Sequence, residues 1–347
     1  MFVYYDQRNT FTSVHKQDIL QHSTRKKLVA DRYTKSYVTK PNVADMIRQH
    51  AEVLMKKIQQ QPIIDMYLWL HYYAIDTVTN HVYGAYGTKT LEDEAHRDLV
   101  YDLSGVKHRS RLYFTFYFKD LLLLTETIKR FYRWLRNQPT GFHVRGSRLN
   151  NYGLESVKSI GNDPDMHAES TAGKLYSVIS GNPHGIAAEC MDHLVAGVDT
   201  TGDAMCILMW RISTPEFQHV QEKLFSELFS IDGEFDPRSG TAPFTVLDKL
   251  PYLDAVILEG LRWRAPVPMS LFRMCPPEGR IVEGHHIPGG TTVSCQAYSL
   301  HRIPEVFPDP DKYDPERWLT QDKEKLSEMK AHFWPFSSGA RACLGQK

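Results

Sequence analysis

Residues 183–212 read PHGIAAECMDHLVAGVDTTGDAMCILMWRI, a mainly apolar stretch of helix length. It is too long, and too interrupted by Gly197 and Gly202, to be a routine surface helix. Inside it, AGVDTT (196–201) admits a plain structural reading: Gly197 breaks the helix and Asp199 caps a new one.

The flanking sequence is also helix-patterned. DILQHSTRKKLVADRY (18–33) spaces Ile19, Leu20, Leu28 and Val29 among basic residues and predicts an exposed amphipathic helix. IIDMYLWLHYYAIDTVTNHVYG (63–84) predicts a long buried helix ended by Gly84. RLYFTFYFKDLLLLTETIKRFYRWL (111–135) is the most aromatic segment; its aromatic residues suit core, a pocket-lining helix or a membrane contact. Residues 137–172, rich in Asn, Gly, Pro and Ser, read as a long loop. YLDAVILEGLRWRAP (252–266) predicts a helix ending before Pro266. GRIVEGHHIPGGTTVSCQAY (279–298) predicts a β-hairpin turning at or next to Gly289-Gly290, and the Pro- and Asp-punctuated stretch from 307 to 335 predicts irregular chain.

Composition narrows the function. Lys+Arg and Asp+Glu both number 41, so no net charge points to a nucleic-acid partner. With 347 residues, about 75% of the unfolded surface can be buried. The five cysteines lie far apart with no C-x-x-C pair, which predicts reduced thiols in a cytosolic setting rather than a disulfide framework. The first residues lack the apolar core of a signal peptide, and no run of 18 apolar residues suits a transmembrane helix. His285 and His286, adjacent in a strand, point to opposite faces and suit a surface role better than a metal site.

FSSGARACLGQK (336–347) carries the most chemistry. A cysteine binds iron as the thiolate, which needs nearby positive charge or backbone N–H groups. Around Cys343, Gly339 and Gly345 let backbone approach closely, Arg341 supplies charge and Phe336 can cover the sulfur. A free, buried cysteine is the plain alternative. Glu259 and Arg262, three apart in LEGLR, share a helix face, and DPERW supplies Arg317 downstream.

Phe336, Gly339, Arg341, Cys343 and Gly345 together match F-x-x-G-x-R-x-C-x-G, and with E-x-x-R, P-E-R-W and AGVDTT the chain resembles the cytochrome P450 superfamily, of fungal type, from about residue 8 to 347. The resemblance implies a mainly α fold with small β-hairpins, as one domain over residues 1–347. It implies haem b, iron protoporphyrin IX, with Cys343 as axial thiolate and iron ligand. It implies a buried cluster of Glu259, Arg262 and Arg317 that supports the cysteine loop. Ala196 and Gly197 would form an oxygen-binding groove, where Asp199 and Thr200 relay protons. His22 and Lys26, on one helical face, would bind haem propionates, with Lys standing where family members commonly carry Arg. A solvated basic face, or a docking patch for a redox partner made by Arg25, Lys26 and Lys27, explains the same residues equally well.

The implied activity is a monooxygenase: one oxygen atom from O2 enters a small apolar organic substrate, in secondary metabolism, with electrons from NADPH-cytochrome P450 reductase. Isomerase or peroxygenase chemistry fits Asp199 and Thr200 less well. The family's membrane-anchoring helix and much of its N-terminal β lobe find no counterpart here, and only Leu344–Lys347 correspond to the helix after the cysteine loop. A four-residue helix cannot stand alone. Hence a second expectation, that the chain is a truncated, non-catalytic relic or a fragment of a longer gene. The family's place is the endoplasmic reticulum membrane; without an anchor, peripheral membrane contact or a cytoplasmic location is expected.

Overall fold

The computed structural model describes residues 19–103, 148–179, 182–231, 233–237 and 240–346, with 128, 131, 132, 135 and 136; most of the aromatic 111–135 segment lies outside the described residues. The described chain is mostly helical and divides into two compact units, Met1–Asp199 and Thr200–Lys347.

In the first unit, α1 (Ile19–Val29) is followed by α2 (Pro41–Gln59), which has proline at its first position, where no intrahelical N–H bond is lost. The hub is α3 (Met66–Tyr83), packed by α2, α4 (Glu94–Leu103), α5 (Arg148–Ile160) and α6 (Thr171–Val178). Asp65 starts α3 by accepting the Leu68 N–H at 3.3 Å, and Gly84 ends it at φ 60°, a left-handed conformation that glycine adopts freely. Asp76, buried in mid-helix, pins the following loop: Oδ1 accepts from Thr88 Oγ1 at 2.6 Å and Thr90 N at 2.7 Å, and Oδ2 from Leu91 N at 2.9 Å. The carboxylate is tolerated there because backbone and hydroxyl donors satisfy it.

Residues 137–172 are not one long loop, since α5 occupies 148–160. Its buried stripe is Leu149, Gly153, Ser156, Val157 and Ile160. Two small residues within that stripe hide the helical period, yet the packing demands them: a Cβ on Gly153 would lie 2.8 Å from the Tyr83 hydroxyl.

Residues 183–212 form a single unbroken helix, α7 (Pro183–Ile212), so Gly197 makes no break and Asp199 caps nothing. In the first unit Ile186, Cys190, Leu194 and Val198 of α7 are fully buried.

In the second unit, α8 (Gln218–Phe229) and α9 (Pro251–Trp263) pack together. The Glu227 carboxylate accepts the Tyr252 and Leu253 N–H groups at 2.7 and 2.8 Å, satisfying donors at the start of α9. One core gathers Phe217, Val220, Tyr252, Val256, Trp263 and Tyr313; a second gathers Ala255, Val306, Phe307, Trp318 and Met329. The region beyond 307 is less irregular than its prolines suggest: a 3-10 turn spans Pro315–Leu319 and α10 spans Lys323–His332, started by Asp322, which accepts two backbone N–H groups.

Among the described residues, four strands form two antiparallel pairs. β1 (Ser270–Met274) pairs with β4 (Thr292–Gln296), Phe272 opposite Ser294, and β2 (Arg280–Val282) pairs with β3 (His285–Ile287), Ile281 opposite His286. The hairpin therefore turns at Glu283-Gly284, both at positive φ, and not at Gly289-Gly290. The latter pair leads from β3 into β4, where Gly290 N–H donates to the Cys275 carbonyl at 3.0 Å. His285 and His286 are exposed.

Candidate functional site

Glu259 and Arg262 occupy neighbouring turns of α9, both completely buried. Arg262 Nε donates to Glu259 Oε2 at 2.8 Å and Nη2 to Oε1 at 2.7 Å, the side-by-side fork that only arginine can make. Nη1 donates to the carbonyls of His301 (3.0 Å) and Pro310 (2.6 Å), and Nη2 to that of Lys312 (2.9 Å). All its N–H donors are thus used. Glu259 also accepts from the Asp314 amide (2.9 Å), Arg317 Nε (3.1 Å) and Trp318 Nε1 (3.0 Å). One carboxylate and one guanidinium therefore fasten the chain between 301 and 318 onto α9. Trp318 and His301 went unassigned in the sequence, although Trp318 stands in the P-E-R-W motif itself.

The cysteine loop lies in the same unit. The Phe336 carbonyl accepts the Cys343 N–H at 2.9 Å, closing the loop on the cysteine. Ser337 (φ 59°) and Gly339 (φ 67°) both take left-handed backbone, and a Cβ on Gly339 would meet only open space. Gly339–Arg341 makes a 3-10 turn, and Trp334 Nε1 donates to Ser338 Oγ at 2.9 Å. Cys343 is exposed, Phe336 and Arg341 are half-buried, and Gly345 lies beside the sulfur, its ideal Cβ position 3.9 Å from Sγ. Burial first, and the like charge of Arg273 second, hold the Arg341 guanidinium below its usual pKa. β1 and the loop thus bring two cations into one neighbourhood, a place that suits an anion. Arg273 was not singled out from the sequence; its only signal was a lone charge in the strand SLFRM.

In α7, Ala196 is exposed while Asp199 and Thr200, three and four residues on, are half-buried on the same side of the helix. Gly197 faces α3 instead: a Cβ there would come 2.9 Å from Val78 Cγ2, so glycine permits a close helix approach. One turn before Ala196, Asp192 is buried, and burial together with the neighbouring Glu189 raises its carboxyl to about 8. Glu189 also faces Arg25 of α1 at 3.5 Å. On α1, His22 is buried and Lys26, one turn later, is half-buried.

All five cysteines are free thiols, and among the described residues no helix is long and apolar enough to cross a membrane.

Comparison with known proteins fits this architecture. Cytochrome P450 monooxygenase orf2 of Aspergillus niger is 28% identical over 94% of this chain, and cytochrome P450 monooxygenase asqL of Emericella nidulans is 28% identical over 94%. Cytochrome P450 monooxygenase tndB of Aspergillus flavipes is 38% identical over 47% of the chain. The chain spans 64% of the length of the first of these relatives and 68% of the second. The cytochrome P450 family model matches residues 4–347, and the chain belongs to that family.

Proposed function

We propose that this chain is a haem-thiolate monooxygenase that inserts one oxygen atom from O2 into a small apolar organic substrate of fungal secondary metabolism. The observation that carries the reading is the loop of Cys343: an exposed thiol, held by a bond from its own N–H to the Phe336 carbonyl, in a turn whose glycine faces open space.

The residues present fit haem b. Cys343 Sγ would bind the iron, since an exposed sulfur beside glycine leaves room for a flat macrocycle. Arg341 and Arg273 would pair with the propionate carboxylates, which would offset both the burial and the mutual repulsion that lower the Arg341 pKa. His22 and Lys26 of the first unit are separate candidates for binding a propionate carboxylate. When bound, the group supplies the reductive activation of O2.

The protein's own part is positional and protonic. The Glu259–Arg262–Arg317 cluster would fix the segment that carries the loop. On α7, the Asp199 carboxylate would hold a proton and the Thr200 hydroxyl pass it on, beside the small Ala196 that leaves room for a diatomic ligand. The apolar residues of α7 would keep bulk water away and favour an apolar substrate. Electrons would come from NADPH-cytochrome P450 reductase, drawn by the basic residues Arg25, Lys26 and Lys27. The family expectation places such an enzyme at the endoplasmic reticulum.

The test is substrate-dependent NADPH consumption by the purified chain with haem, reductase and O2, screened over apolar terpenoid, alkaloid and polyketide compounds. Asp199→Asn with Thr200→Ala is expected to lower product formed per NADPH by at least ~10-fold. Equal coupling in that variant contradicts the proton roles, and a haem-loaded chain that never turns over is the outcome expected of a relic.

A further inference from the structure

Trp334 stands two residues ahead of Phe336, where the cysteine loop begins, and its backbone N–H donates to Nε2 of His301 at 2.8 Å. The other ring nitrogen of His301, Nδ1, lies 2.9 Å from the carbonyl oxygen of Arg262, and the His301 carbonyl in turn accepts from Arg262 Nη1 at 3.0 Å. A backbone amide can only donate, so Nε2 is the bare nitrogen and the ring proton sits on Nδ1, where it donates to the Arg262 carbonyl. The geometry therefore selects one neutral tautomer. The ring is completely buried, stacked on Phe333 at 5.8 Å and edge-on to Phe307 at 6.4 Å, which leaves it no room to turn. Burial keeps it uncharged, lowering its pKa to about 4, helped by the charges of Arg262 and Arg302.

A buried histidine that merely filled space would not need both nitrogens matched to the main chain of two distant elements. Here one imidazole joins the last turn of α9 to residue 334, and from there the chain runs through Ser337 N–H on the Trp334 carbonyl (3.2 Å) to Cys343 N–H on the Phe336 carbonyl (2.9 Å). We propose that His301 is the positioning residue of the Cys343 loop: its neutral Nδ1–H tautomer ties the start of the loop to the Arg262 main chain. The inference rests on the reading of Cys343 as a thiolate ligand.

The test compares wild type with His301→Phe, which keeps the ring volume and loses both hydrogen bonds, and His301→Gln, which keeps one donor and one acceptor. Hydrogen exchange of the haem-free chain is expected to quicken by about tenfold or more at residues 334–343 in His301→Phe, with the amides of α9 unaffected and His301→Gln close to wild type. After haem loading and reduction under CO, His301→Phe should shift from the thiolate-type band toward the neutral-thiol type, and His301→Gln should not. Unchanged exchange at 334–343, equal quickening across α9, or a glutamine variant as loose as the phenylalanine one overturns the proposal. Nitrogen NMR of histidine-labelled wild type adds a readout that needs no variant: the proton is expected on Nδ1, and a proton on Nε2 overturns it. A wild type lacking the thiolate-type band counts against the reading of Cys343 alone, because exchange and NMR judge the tether without haem.

Discussion

Arg262 lies against Glu259 with no solvent at either side chain, its Nη2 and Nε 2.7 and 2.8 Å from the two carboxylate oxygens. Removing one partner of such a pair leaves the other charge buried and uncompensated, at a cost of about 3–5 kcal/mol. Glu259→Gln should lower the stability of the haem-free chain by that amount, read as a shift in urea midpoint with little change of slope. Because Arg317 and Trp318 also lean on this carboxylate, Arg317→Leu should cost less than Glu259→Gln. Equal costs would contradict a network centred on Glu259.

The two adjacent serines of the cysteine loop should respond oppositely to glycine. Ser337 has φ 59°, and its buried hydroxyl has no partner among the described residues. Glycine relieves the backbone and loses nothing, so Ser337→Gly should be neutral or stabilising by up to ~1 kcal/mol. Ser338, at φ −148°, is extended and accepts from Trp334 Nε1 at 2.9 Å, so Ser338→Gly should destabilise by about 1–2 kcal/mol. Calorimetry of both variants decides; destabilisation by the first would refute the assignment of strain to Ser337.

Arg273→Gln should raise the Arg341 pKa only in part, because burial is the larger cause of its depression, and should weaken haem retention by about tenfold, since one charge-assisted contact to a carboxylate is lost. Titration of haem into the haem-free variants measures this. Unaltered affinity would remove Arg273 from the site.

The pH dependence of stability has two opposing parts. Burial lowers His81 and His301 from 6.5 to about 4, so the unfolded chain takes up protons first and stability falls as pH drops from 6.5 toward 4. Asp192 acts in the other direction: its carboxyl rises from 3.8 to about 8, chiefly through burial and then through Glu189. The native chain keeps a proton that the unfolded chain releases, so this contribution is complete below 3.8 and is lost as pH rises toward 8. Between pH 6.5 and 8 only the Asp192 part should operate, and Asp192→Asn should flatten the decline in melting temperature there. Parallel curves for variant and wild type would exclude Asp192 as its source.

What could be read from the sequence was whatever local chemistry dictates. The apolar run of α7, the glycine stop of α3 at Gly84 and the i, i+3 spacing of Glu259 and Arg262 each follow from short-range rules. The turn at Glu283-Gly284 was missed because Gly289-Gly290 gave the stronger turn signal, and β4 pairs with β1, whose partner is set by long-range packing. α5 was missed because Gly153 and Ser156 replace large apolar residues where Tyr83 packs closely. His301 and Arg273 carry no motif of their own. Their roles come from groups 33 and 68 residues away, Trp334 and Arg341, which no spacing rule joins.

The central claim, that Cys343 is the thiolate ligand of a bound haem, is tested most directly by the absorption spectrum of the purified, haem-loaded chain after reduction under CO, alongside Cys343→Ser. The account predicts a thiolate-type Soret band in wild type that vanishes in the serine variant. A wild type without that band, or a serine variant that keeps it, would contradict the claim.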